Sequence, residues 1–167
     1  FGPDGLSSLG GYPGNDEKGR ELQARLNPGK LLEDFFASFE FLRDHADSTG
    51  KVGAVGFCYG GGVCNALAVA YPEMAASVPY YGRQPTAAEV PAIKAPLLIH
   101  YAEADERINA GWLPYQAALI ANQKAFQVHF YPGTQHGFHN DSTPRFDKAA
   151  ADLSWARTLA FFGKNLR

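Results

Sequence analysis

The chain has 167 residues, of which 46% are hydrophobic and 19% charged, and its 15 basic and 17 acidic side chains leave a formal net charge of -2. That length suits one domain with a core of its own rather than two of ordinary size. The balanced charge excludes the cationic stripe that a nucleic-acid partner requires, and no apolar run reaches the length of a membrane span, so the composition points to a globular protein acting on small molecules.

From Gly2 to Gly14 glycine, proline and serine punctuate the chain, which predicts an irregular surface loop. Leu31, Leu32, Phe35, Phe36, Phe39 and Leu42 recur at three- and four-residue intervals and predict an amphipathic helix from Lys30 to His45, closed by the segment from Asp47 to Gly50. Lys51 to Phe57 reads as a short apolar strand, Tyr59 to Tyr71 as a helix of small residues, and Pro72 as its stop signal. Further strands are predicted from Ala76 to Tyr81, Pro96 to Tyr101 and Phe126 to Tyr131, with a helix from about Ala110 to Asn122 between the last two. The connection from Gly82 to Lys94 reads as a variable loop. A last helix is predicted to start with Thr143 as N-cap and Pro144 at its first position, continuing through Phe146, Ala149, Ala150, Leu153, Ala156 and Leu159. Strands alternating with helices predict an α/β fold with a parallel sheet covered on both faces.

Chemistry enters at Gly56-Phe57-Cys58-Tyr59-Gly60, a strand that turns at once into a helix and offers a thiol at the bend. Glycines around such an elbow are needed because a side chain would collide where the turn closes. The start of a helix favours an anion, so the turn is expected to ease Cys58 toward thiolate, and the Tyr59 N–H becomes a candidate oxyanion donor. The competing reading is a glycine-rich turn around a buried, inert cysteine.

A nucleophilic thiol needs a base and a group that orients the base. The segment from Pro132 to His139 follows the fourth strand with two imidazoles, His136 and His139, and the third strand is followed by Glu103, Asp105 and Glu106. Ligands of open parallel sheets sit beyond the carboxyl ends of the strands, so Cys58, Asp105 and His136 are expected on one rim in the order nucleophile, acid, histidine. Asp105 is preferred among the acids because it lies further from the strand end, a solvated acidic loop being the alternative, and His139 is assigned a structural or substrate-facing place. Zinc held by His136, His139 and Asp141 has little support in loop spacing alone, so no metal or organic cofactor is expected.

Arg20, Arg83, Arg107 and Arg145 are each able to clamp a carboxylate, and Arg83, following Tyr80-Tyr81-Gly82, is the one expected near the rim as a substrate-binding residue. Cys58 and Cys64 lack the spacing of a redox pair or disulfide framework, which favours a reduced, cytoplasm-like setting. Cys64, about one and a half turns along the helix, falls on the opposite face from Cys58, badly placed as a resolving thiol.

With those residues identified, the chain resembles the dienelactone hydrolase family. The landmarks are Pro3-Asp4-Gly5, Gly50-Lys51-Val52-Gly53, Gly56-Phe57-Cys58-Tyr59-Gly60-Gly61, Tyr80-Tyr81-Gly82 and His136-Gly137-Phe138. The resemblance implies a single α/β-hydrolase-like domain over residues 1–167, a three-layer sandwich with a mostly parallel sheet. It further implies that the C-terminal portion of the fold is present and that strands preceding Pro3-Asp4, with a second oxyanion donor, are not. It makes Cys58 the nucleophile, His136 the base and acid, Asp105 the orienting carboxylate and Tyr59 N–H part of the oxyanion hole. The implied activity is hydrolysis of small esters, lactones or thioesters through an acyl-cysteine. Asn140 and Asp141 stand where the family's lactone-carboxylate arginine is found, so a dienelactone is not the expected substrate. The rival is a non-catalytic fragment or binding module that needs a complementing N-terminal segment, and a homo-oligomer is a further expected partner state.

Overall fold

Parallel pairing organises the larger part of the chain. The computed structural model describes residues 1–167 apart from the side chain of Asp16, and the backbone falls into two compact units, Phe1–Gly50 and Lys51–Arg167. In the first unit a single 3-10 turn, Ser7–Leu9, interrupts the irregular opening segment. Helix α1 (Asp16–Arg25) follows, where periodicity gave no signal, and then α2 (Pro28–Asp44). Asparagines set both starts. Asn15 Oδ1 accepts from the N–H groups of Glu17 and Lys18, and Asn27 Oδ1 from those of Gly29 and Lys30, which would otherwise lack partners.

The second unit carries strands β1 (Gly53–Phe57), β2 (Ala76–Tyr80), β3 (Leu97–Ala102) and β4 (Phe126–Tyr131) in the spatial order β1-β2-β3-β4, all parallel. This is the predicted α/β class, with strand limits shifted by at most two residues. β2 and β3 are buried at every position, as expected of inner strands covered on both faces. Alternation along β2 identifies the covers. Ser77 Oγ donates to the carbonyl of Cys64 on helix α3 (Tyr59–Ala70), whereas Val78 and Tyr80 join the core that includes Ala150, Phe161 and Phe162 of the last helix, α6 (Lys148–Asn165).

One register row crosses all four strands on the α6 side. Phe57 faces Tyr80, Tyr80 faces His100, and His100 faces His129, with ring centroids 4.6, 4.3 and 6.0 Å apart. Such aromatic pairs contribute roughly 1 kcal/mol each beyond their buried area. His100 is fully buried, its Nδ1 meeting Tyr131 Oη at 2.8 Å and its Nε2 meeting Thr158 Oγ1 at 3.2 Å. Burial pushes this imidazole down to about 3, so it is neutral in the fold.

Two helix limits differ from the periodic reading. The helix expected from Ala110 starts at Trp112, as α5 (Trp112–Ala121), and a single turn that periodicity did not predict, α4 (Glu106–Asn109), precedes it. The last helix does not start after Thr143: Asp147 is its N-cap, accepting from Ala150 N at 2.9 Å, while Thr143 N donates to Asn140 O in a preceding turn. The Asp147 side chain satisfies a donor of the first helical turn, whereas Thr143 is taken up in the turn before it, so the upstream Thr-Pro signal starts no helix.

Candidate active site

β1 runs directly into α3, and the residue at the junction, Cys58, holds φ 53° and ψ -113°, a backbone state that side-chain-bearing residues rarely occupy. Its N–H donates to Tyr80 O at 3.1 Å, and its carbonyl accepts from Gly61 and Gly62 at 3.1 and 3.3 Å. The glycines are steric requirements: a Cβ on Gly56 would stand 2.2 Å from Gly60 O, and one on Gly61 would stand 2.5 Å from Tyr80 O. Tyr81, at the end of the neighbouring strand, also has a positive φ, 36°, with its N–H bonded to His100 O at 2.7 Å.

Loops after β3 and β4 bring two side chains to the thiol. Asp105, 5% exposed, caps α4 through Oδ1, which accepts from Ile108 N at 3.3 Å, and turns Oδ2 to His136 Nδ1 at 2.5 Å. His136 Nε2 lies 3.1 Å from Cys58 Sγ. Cys58, His136 and Asp105 therefore form one continuous hydrogen-bonded line assembled from three strand ends. The buried Tyr81 ring supports the imidazole at 5.0 Å between centroids, and Phe138 backs Tyr81 at 5.4 Å.

The thiol's electrostatics depart from the expectation set by a helix start. Cys58 is exposed, yet the protein around its sulfur pushes the thiol above its usual range, desolvation outweighing the lowering by Arg145 and Arg107, with Asp105 adding to the rise. A nearby base is accordingly needed to draw the proton. Arg145 reaches this region from the loop before α6, its guanidinium 3.6 to 3.9 Å from where a Cβ on Gly137 would stand.

Of the remaining sequence candidates, Tyr59 is the first residue of α3, the place at which a helix's own carbonyls do not take the N–H. Arg83 is exposed, its carbonyl accepts from Asn65 Nδ2 at 2.8 Å, and its charge reaches Glu89. Cys64 is buried and its thiol is pushed up to about 12 by desolvation, whereas Cys58 is exposed, and both are free thiols. His139 packs its ring on Phe57 and Trp155 at 4.9 and 5.8 Å. Among the described residues no group of three His, Cys, Asp or Glu side chains is gathered as metal ligands, and no helix is long and apolar enough to cross a membrane. Sequence reasoning left Arg145 unplaced and gave Tyr81 no role; the only trace of Tyr81's unusual backbone is the glycine that follows it.

Comparison with known proteins bears on the family and the fold. The model of the dienelactone hydrolase family matches residues 12–166. The chain is 32% identical over 131 residues to carboxymethylenebutenolidase 1 of Cupriavidus pinatubonensis, covering 77% of this chain and 55% of that protein. It is 34% identical over 155 residues to the protein usf of Aquifex pyrophilus, covering 83% of this chain and 67% of that one. Among solved structures, a dienelactone hydrolase from Anabaena variabilis superposes with a TM-score of 0.68 at 24% identity, over 92% of this chain and 69% of that chain. A dienelactone hydrolase-like promiscuous phosphotriesterase from metagenomic libraries gives a TM-score of 0.75 at 20% identity, over 89% of this chain and 67% of that one. These structural likenesses carry the α/β-hydrolase-like fold, and the chain spans between 55% and 67% of the length of the two curated relatives.

Proposed function

This chain belongs to the dienelactone hydrolase family, and on that premise we propose that it hydrolyses small esters, lactones or thioesters through an acyl-cysteine formed on Cys58. With its Nδ1 proton donated to Asp105, His136 presents Nε2 as acceptor to the Cys58 S–H at 3.1 Å. The thiolate attacks the acyl carbon, a C–S bond forms, and the oxyanion collects at the start of α3, where Tyr59 N–H is a donor. The imidazolium returns its proton to the leaving alkoxide or thiolate as the C–O or C–S bond of the substrate breaks. Water, deprotonated by the same Nε2, then attacks the thioester and releases the acid, restoring the thiol.

The observation that carries this reading is the unbroken line from Cys58 through His136 to Asp105. An isolated thiol pushed upward by burial is a poor nucleophile at neutral pH, whereas one beside an oriented base is not. The guanidinium groups of Arg145 and Arg107, whose charge reaches the sulfur, favour the thiolate over the thiol. A second reading, supported by the partial span of the curated relatives, is that turnover requires a further segment to supply the second oxyanion donor.

The test is hydrolysis of p-nitrophenyl acetate by this chain and by Cys58→Ala, with mass spectrometry of the trapped protein. A 42 Da acetyl adduct on Cys58 and loss of turnover in the variant are expected, roughly a 10³-fold drop or more. Equal rates, or an adduct elsewhere, overturn the nucleophile assignment.

A further inference from the structure

The two loops that deliver Asp105 and His136 are fastened to each other above the strand ends. Glu103 N donates to Tyr131 O at 3.2 Å and Ala104 N to Thr134 O at 2.9 Å, so the β3–β4 pairing continues past both strands. At the far side of that pairing Glu103 Oε2 accepts from the N–H of Gly133 at 2.8 Å. Gly133 lies three residues before His136, and Glu103 two before Asp105. The carboxylate thus closes a ring whose other end is the His136–Asp105 hydrogen bond. Thr134 Oγ1 donates to Tyr131 O at 2.8 Å on one loop, and Asn109 Nδ2 donates to the carbonyls of Ala102 and Glu103 at 2.8 and 3.1 Å on the other.

We infer that Glu103 is a positioning residue for His136: as the side-chain acceptor for the Gly133 N–H, it fixes the separation of the two loops and with it the alignment of the imidazole between Asp105 and Cys58. This rests on the Cys58–His136–Asp105 reading. Gly133 has φ 70°, a turn that glycine adopts readily and leaves as readily. Its N–H is the first backbone donor after β4, and a Glu103 carboxylate oxygen accepts it at 2.8 Å. Releasing it leaves the loops joined only through the backbone bonds of Glu103 and Ala104, so the alignment of His136 is expected to loosen. The interaction needs an acceptor on the δ-carbon, which an amide oxygen supplies as well as a carboxylate does, and unlike Asp105 the Glu103 side chain bonds to neither the sulfur nor the imidazole.

The experiment compares the unsubstituted chain with Glu103→Gln, Glu103→Ala and Glu103→Leu, the last filling similar volume without an acceptor. Two readouts need no turnover: the low-field proton resonance of His136 Nδ1–H, and the rate of Cys58 alkylation by iodoacetamide as a function of pH. The chain and Glu103→Gln are expected to share the resonance and the alkylation profile. Glu103→Ala and Glu103→Leu are expected to lose the resonance to exchange and to alkylate roughly tenfold more slowly at neutral pH, with circular dichroism spectra that match the parent. Persistence of the resonance and profile in a folded Ala or Leu variant overturns the inference, as does a Gln variant that behaves like Ala. A parent chain that shows neither the resonance nor any change in alkylation on His136→Ala overturns the triad reading itself, and this inference with it.

Discussion

Gly82 and Gly61 meet backbone to backbone: a Cβ on Gly82 would stand 2.2 Å from the carbonyl carbon of Gly61. Gly61 lies in the first turn of α3 and Gly82 just past the end of β2, so this contact seats the nucleophile elbow against the neighbouring strand. Backbone on both sides leaves no flexible side chain to give way. Gly82→Ala is expected to lower stability by about 3 kcal/mol, the upper end for overpacking, read as a fall in the urea midpoint at unchanged slope. An unchanged midpoint would show that the elbow is not held by this approach.

Asp105 has two jobs, one for each oxygen. In Asp105→Asn the amide can keep the Ile108 cap while turning its NH2 toward His136, which reverses the imidazole tautomer and places N–H against the sulfur. Ester turnover is expected to fall roughly 10²- to 10⁴-fold, with stability within about 1 kcal/mol of the parent. Stopped assays alongside thermal unfolding check both, and a large stability loss with intact turnover would reverse the assignment.

Acid should unfold this protein early. His100 is held neutral down to about 3, so between the ordinary imidazole value and that point the unfolded chain binds a proton that the folded chain refuses. Stability is complete above about pH 6.5 and declines as pH falls below it, by on the order of a few kcal/mol. His129 and His139, both lowered chiefly by burial, act in the same direction. Urea melts across this range are expected to show a shallower acid slope in His100→Gln, which keeps polar ends toward Tyr131 and Thr158.

Arg145 opposes the burial that raises the Cys58 thiol. Arg145→Gln removes that opposition, so the midpoint of Cys58 alkylation is expected to move to higher pH and the rate at pH 7 to fall. Raising the salt concentration should narrow the gap between variant and parent, because the guanidinium is exposed and its field is screened. A midpoint that stays put removes Arg145 from the thiol's surroundings.

The start of α6 gives a direct contrast between two caps. Asp147→Ala deletes the acceptor for Ala150 N and is expected to cost about 1 kcal/mol. Thr143→Ala, at the position that the Thr-Pro pattern suggests, is expected to cost less than about 0.5 kcal/mol. Thermal melts of the two variants decide which residue begins the helix.

Local chemistry was enough to read four strands, the elbow at Cys58 and the rim on which Asp105 and His136 fall, because short apolar runs, a period of 3.6 and glycine punctuation are short-range signals. The α/β order of those elements then ordained that the three loops share one side of the sheet. Distances across that rim were another matter. Which of Glu103, Asp105 and Glu106 faces the imidazole depends on how the β3 and β4 loops are pinned together, and Glu103 proves to hold Gly133 instead. The upward push on the Cys58 thiol, the arrival of Arg145 beside Gly137 and the positive φ of Tyr81 arise from segments far apart in the chain meeting in space. Sequence alone set the residues and their order, and packing decided their spacing and charge environment, because desolvation and hydrogen-bond geometry exist only once distant backbone has closed around the site.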